Sequence, residues 1–124
     1  MRICVLAVLV STFALSGACK KKVEAKQVTC EQRFNQFTPP PDAAGVAIQC
    51  PAACTSGPVY GADMYTADSK VCAAAVHAGA IPAAGGTARV KPAPGQQSYS
   101  GTERNGVKTS SWGSYGASFT VEKL

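Results

Sequence analysis

VYGADMYTADSKVCAAAVHAG, residues Val59 to Gly79, is the stretch that decides the fold. It opens on a tyrosine-glycine turn. Asp68 or Ser69 is then placed to accept hydrogen bonds from the first free amides of a helix. One cysteine, four alanines and the only histidine of the chain follow on about three turns, at 3.6 residues each. Gly79 can adopt the left-handed conformation that ends many helices. Val71, Ala75 and Ala78 form one stripe, which Cys72, Ala73 and Val76 widen. A helix so poor in charge is one that a small domain wraps on all sides. Its small side chains let strands approach closely, and Cys72 can pin it to the segment around Cys50 and Cys54.

Working outward, the period changes to two. Thr87-Ala88-Arg89-Val90-Lys91 alternates small or apolar residues with polar ones, as a half-exposed strand does. Ala117-Ser118-Phe119-Thr120-Val121-Glu122 repeats the pattern with a stronger apolar face. Pro92 and Pro94 are expected to close the first strand, and Asn105-Gly106 is a strong hairpin-turn signal. Ile48 and Val59-Tyr60 suggest shorter strands, and Tyr60 and Tyr65 read as core. Pro39-Pro40-Pro41 reads as an exposed extended loop, because proline cannot donate to a sheet ladder. One buried helix wrapped by antiparallel strands is an α+β domain.

The N-terminus belongs to something else. Arg2 precedes thirteen uncharged, mostly apolar residues, Ile3 to Leu15, and then Ser16-Gly17-Ala18-Cys19. A positive start, a short apolar run and small residues before a cut describe a signal peptide over residues 1–18. The run falls short of the roughly 20 apolar residues a membrane span needs. Leu15-Ser16-Gly17-Ala18-Cys19 also resembles a bacterial lipobox, in which Cys19 is lipidated, although an ordinary signal peptidase could cut the same bond. Cysteine arithmetic favours lipidation. Cys4 is lost with the signal peptide, leaving Cys19, Cys30, Cys50, Cys54 and Cys72, and lipidating Cys19 removes the odd thiol. Residues 19–27 then form a lipidated, flexible tether, and residues 28–124 the domain. Several acyl chains suffice for stable membrane attachment. Lys20, Lys21 and Lys22 beside the anchor would each add about 1 kcal/mol on an anionic surface.

The mature chain, 106 residues from Cys19 to Leu124, makes one domain, with 11 basic against 7 acidic side chains. No basic stripe with interleaved aromatics runs through it, which argues against nucleic acid as a partner. Cys50 and Cys54 stand as C-x3-C, with Cys30 twenty positions before Cys50 and Cys72 eighteen after Cys54. Zinc could take four thiolates, and a redox dithiol is conceivable, but the usual redox spacing is one residue shorter. Structural disulfides are the default in an oxidising exported compartment. Four cysteines allow three pairings, and the spacing does not choose among them.

Little else points to catalysis. A single histidine, His77, cannot form a histidine metal cluster. There is no G-x-S-x-G elbow, no phosphate-cradling glycine loop before a helix and no evident carboxylate pair. The expectation is a non-enzyme with no cofactor and no metal. Tyr99, Trp112 and Tyr115, in Ser- and Gly-rich surroundings between the late strands, are candidate stacking residues for sugars or lipid head groups. Arg89, Lys91, Arg104 and Lys108 could neutralise phosphates. His77 is a candidate contact at the helix end, weighed against a simple packing role.

CPAAC at Cys50–Cys54, VYG at Val59–Gly61 and Y-x3-S-x-VCAAAVHAG at Tyr65–Gly79 come in order along the chain. They are followed by GGTARV at Gly85–Val90, PG-x3-Y at Pro94–Tyr99, NGV at Asn105–Val107 and ASFTV at Ala117–Val121. Together, over roughly Val28 to Lys123, this set resembles the LCCL domain. The resemblance implies a central helix wrapped by antiparallel sheet and two disulfides, Cys30–Cys50 and Cys54–Cys72. It also implies a binding module, since lipopolysaccharide binding has been proposed for members of that family. The expected protein is an exported, membrane-anchored lipoprotein facing the periplasm or cell exterior, whose ligand is lipopolysaccharide or another envelope glycan or lipid. The alternative is a structural envelope lipoprotein that acts through an envelope protein partner.

Overall fold

The computed structural model describes residues 24–124; the signal-peptide segment 1–18, Cys19 and Lys20–Lys22 lie outside them. Eight strands and one helix follow in chain order. They are β1 (Lys26–Gln27), β2 (Val46–Cys50), β3 (Gly61–Ala62), β4 (Met64–Thr66), α1 (Val71–His77), β5 (Gly86–Gln96), β6 (Glu103–Arg104), β7 (Val107–Lys108) and β8 (Tyr115–Lys123). Six strands form one sheet in the order β1-β2-β5-β8-β4-β3, and β6-β7 makes a separate hairpin. Every neighbouring pair is antiparallel except β1 and β2. This is the α+β architecture expected from the sequence.

Helix α1 is seven residues long, too short to persist alone in water. Burial holds it: every residue from Val71 to His77 is buried. The face it meets comes from alternate positions of the sheet, Ile48, Ala88, Val90, Tyr65 and Phe119, all fully buried. Phe34, from a short 3₁₀ turn at Phe34–Gln36, closes the core by stacking on Phe119 with ring centres 4.9 Å apart. Burying each such side chain contributes about 1.5–3 kcal/mol.

The helix ends differ in how closely they follow expectation. At the C-terminus Gly79 (φ 76°) sends its amide to Val76 O, and Ala80 sends its own to Ala75 O, a Schellman closure. At the N-terminus neither Asp68 nor Ser69 caps the helix. Lys70 takes the cap position without a side-chain bond. The Val71 amide goes instead to Gln32 O and the Lys70 amide to Pro58 O. Ser69 is buried and accepts from the Tyr60 amide while bonding Thr66 Oγ1. The neighbouring backbone supplies the carbonyls, so the serine is free to fasten β4 to the segment before β3.

Strand β5 corrects a second expectation. It runs through Pro92 and Pro94, which pair with Phe119 and Ala117 of β8. The reason is topological. β2 begins at Val46, opposite Val90, so beyond that point β5 has a strand on one side only. Proline is tolerated on such an edge, where no donor is required. The Asn105-Gly106 turn forms as expected, with both residues at positive φ (54° and 78°), as a two-residue hairpin needs.

The disulfide pairing implied by the resemblance is also corrected. The bonds are Cys30–Cys54 and Cys50–Cys72. Cys50 ends β2 on the face that meets α1, and Cys72, on the first turn of the helix, points at that face. Cys54 lies past a turn in which Ala53 has φ 65°, and this carries it away from the helix toward Cys30. Peptide mapping of the non-reduced protein should recover these two pairs and neither of the alternatives. Replacing Cys50 and Cys72 by alanine together should lower unfolding free energy by on the order of 3 kcal/mol, measured by denaturant titration.

Candidate functional site

The candidate residues do not form one constellation. His77 is fully buried: its Nδ1 lies 2.8 Å from the Tyr65 hydroxyl and its Nε2 3.0 Å from Thr102 Oγ1. The Asn105 side chain donates to its carbonyl at 3.0 Å. His77 thus ties the helix end to the β6–β7 hairpin and is removed from any surface set, the packing role weighed for it above. Tyr99 is also buried. Its hydroxyl accepts from the Gln96 amide at 3.0 Å and bonds Ser118 Oγ, which it covers on the outer face of β8. Tyr115 lies at the start of β8 rather than in a loop, and is half-buried.

The cations divide between two places. Arg89 and Lys91 project from the outer face of β5. Arg89 donates to Ala44 O at 3.4 Å, and Lys91 pairs with Glu122 at 3.0 Å. Arg104 lies on the β6–β7 hairpin and pairs with Asp63 at 2.8 Å, both exposed; Lys108 stands opposite Glu103 in the same hairpin. Asp63 is the turn residue between β3 and β4, so Arg104 joins the hairpin to the β3 edge of the sheet.

Trp112 is the candidate that remains available. It is 50% exposed, and its ring lies 5.1 Å from that of half-buried Tyr60 at a 56° tilt. Two backbone ladders hold the pair. Tyr99 and Trp112 exchange amide bonds at 2.8 and 3.0 Å, while Ser110 donates to Val59 O and accepts from the Gly61 amide. Gly61 (φ 105°) must lack a side chain here, because a Cβ would meet Met64 O at 2.2 Å. The site is therefore an aromatic pair on a serine-rich surface at the β3 edge, with the Arg104–Asp63 pair on the same β3–β4 hairpin. Sequence reasoning assigned Tyr60 to the core and missed Asp63. Their relation to Trp112 and Arg104 depends on contacts some 40 to 50 residues apart, and no local signal carries it.

A second concavity, about 480 Å³, lies at the helix end between Val76, Ile81, Pro82, Asn105 and Lys123. Among the described residues no group of three or more His, Cys, Asp and Glu stands together. None of their helices is long and apolar enough to cross a membrane.

A short helix stapled to a six-stranded sheet, with an aromatic pair left on one edge, defines a small disulfide-bonded α+β module. The LCCL domain profile matches residues 18–119. Vitrin of Bos taurus is 34% identical over 106 residues, 84% of this chain and 16% of that protein. Cochlin of Homo sapiens is 40% identical over 78 residues, 61% of this chain and 14% of that protein. Clotting factor C of Tachypleus tridentatus is 36% identical over 105 residues, 82% of this chain and 10% of that protein. The chain belongs to the LCCL domain family, and it spans 10% to 16% of the length of these relatives.

Two titrations follow from the buried network. Burial lowers the His77 pKa from 6.5, only partly offset by its bond at Thr102; nearby Arg104 lowers it further and Asp63 raises it. The unfolded chain therefore binds more protons than the native one below about pH 6.5. Stability from this site is full above that pH and falls as the solution is acidified through and below it. Denaturant midpoints should drop between pH 7.5 and 5.5, and less so in His77→Gln. Burial pushes the Tyr65 hydroxyl up to about 12, with the Asp63 backbone bond lowering it and the Asp63 charge raising it. Ultraviolet titration should show a tyrosine step near pH 12, and that late step should vanish in Tyr65→Phe.

Proposed function

We propose that the chain is an exported, membrane-anchored binding module, held by a lipid on Cys19, that recognises lipopolysaccharide or another envelope glycan or lipid. It acts by binding rather than catalysis and carries no cofactor. The observation that carries this reading is Trp112, the single tryptophan, held half-exposed against Tyr60 by paired backbone bonds. A ring of that size contributes most to stability when buried, so a fold that fixes it at the surface leaves it for a ligand. The tilted pair suits the apolar face of a sugar ring, and the surrounding Ser98, Ser100, Ser110 and Ser111 are exposed hydroxyls for its polar edge. Arg104 adds a cation for a phosphate or carboxylate. The family resemblance and the two disulfides support the export and ligand class.

The test is titration of the purified domain with lipid A, lipopolysaccharide and peptidoglycan fragments, observing Trp112 fluorescence and backbone amide shifts, the shifts alone serving for Trp112→Ala. A saturable change is expected with at least one of them. Trp112→Ala should weaken binding about tenfold or more, since ring stacking is worth about 1.5 kcal/mol and tenfold is 1.4 kcal/mol. Arg104→Ala should leave stability nearly unchanged, because an exposed ion pair is worth about 0–1 kcal/mol. It should weaken an anionic ligand only. No saturable response to any of the three ligands sinks the proposal.

A further inference from the structure

We propose that the loop Pro39–Ala44 is a docking surface for an anionic bilayer, and that the domain, tethered to that bilayer, presents its Trp112–Tyr60 edge away from it. The second clause rests on the anchored reading above; the first does not.

Pro39, Pro40, Ala43 and Ala44 are exposed and Pro41 is half-buried, so the loop offers apolar surface where solvated loops carry polar groups. It is held in shape rather than free. Asp42 turns back on its own backbone, accepting from the Ala44 amide through its carboxylate and from the Gly45 amide through its carbonyl. Gly45 (φ 75°) passes against β5 so closely that a Cβ would meet Val90 O at 2.3 Å. Behind the loop, Phe37, Val46 and the prolines line a groove of about 280 Å³.

Cations rim the loop from both faces of the sheet. On one side the Lys26 ammonium lies 5.4 Å from the centre of the Phe37 ring. On the other, Arg89 donates to Ala44 O, and the Lys91 stem lies beside Gly45. Arg89 makes no ion pair among the described residues, Lys91 is paired with Glu122, and Asp42, the one acid of the loop, keeps its charge while accepting from the Ala44 amide. An apolar tip ringed by such side chains matches an interface of acyl chains beneath anionic head groups. Position agrees with chemistry. Lys26 opens β1, seven residues after Cys19, a span of at most about 25 Å when fully extended.

The topology then sets the orientation. β1 is one edge of the sheet and β3 the other, five strand spacings apart, or about 24 Å at 4.8 Å each. The proline loop and its cations gather at the β1–β2 end, where the described chain begins. Tyr60, Trp112, Asp63 and Arg104 gather at β3. A ligand on Trp112 therefore meets the domain from the far side of the tether and not from the same membrane.

Quenching by brominated lipid reads both clauses at once. The lipidated chain is reconstituted in phosphatidylethanolamine–phosphatidylglycerol vesicles with brominated acyl chains. A parallel chain beginning at Lys20 is held by an N-terminal histidine tag on nickel-chelating lipid in the same vesicles. In a Trp112→Phe background, Pro40→Trp should be quenched severalfold and shift its emission to the blue. Native Trp112 should be nearly unquenched by the lipid and remain open to aqueous iodide. Lys26→Glu with Arg89→Glu should abolish the quenching at position 40 and make it independent of phosphatidylglycerol. Absence of quenching at position 40 in the tagged chain overturns the docking. Quenching of Trp112 equal to or above that at position 40 overturns the orientation. An intact mass without acyl chains on Cys19 overturns the anchored reading alone, and the tagged chain still decides the docking.

Discussion

Contact between helix α1 and the inner face of the sheet, locked by the Cys50–Cys72 bond, is the constraint on which the rest depends. Seven residues cannot hold a helix by their own hydrogen bonds. Alanines at 73, 74 and 75 let the helix seat closely against β7 and β8, and the disulfide fixes the end of β2 against the first helical turn. Once the helix is seated, His77 is carried into the interior at its far end, where Tyr65 and Thr102 satisfy both ring nitrogens. The β6–β7 hairpin is docked by the same residue through Thr102 and Asn105. That hairpin in turn places Arg104 on Asp63.

The sheet separates two kinds of work. Its inner face is apolar and complete, built around Phe119 with Phe34 and Tyr65 against it. Its outer face is polar, with Thr87 donating to Gln49 and Lys91 paired with Glu122. At the far end that face is covered, where Tyr99 folds over Ser118. Trp112, its backbone partner, stands outside, so the two rings differ in fate although both lie in loops of similar composition.

The helix, its glycine closure, the alternating strands and the Asn105-Gly106 turn were legible because each depends on residues within a few positions of one another. Capping at Asp68 or Ser69 was a sound local reading that failed because Gln32 and Pro58 bring carbonyls from distant segments. Pro92 and Pro94 failed as strand breakers for a similar reason: whether β5 is an edge depends on where β2 begins. The candidate site was half legible. Trp112 and Arg104 stood out by residue type, whereas Tyr60 and Asp63 joined them only through the β3–β4 hairpin.

The sequence by itself determined the central helix, the two long alternating strands, the Asn105-Gly106 turn, the family and the number of disulfides, since periodicity, turn chemistry and cysteine count are local or additive properties. Tertiary structure decided the pairing of the cysteines, because a bond between two sulfurs depends on which faces meet and not on spacing. It also decided which aromatic rings are buried and which face water. Tyr99 and Trp112 have similar neighbours in the chain, and only the packing of β8 beneath one of them sets them apart.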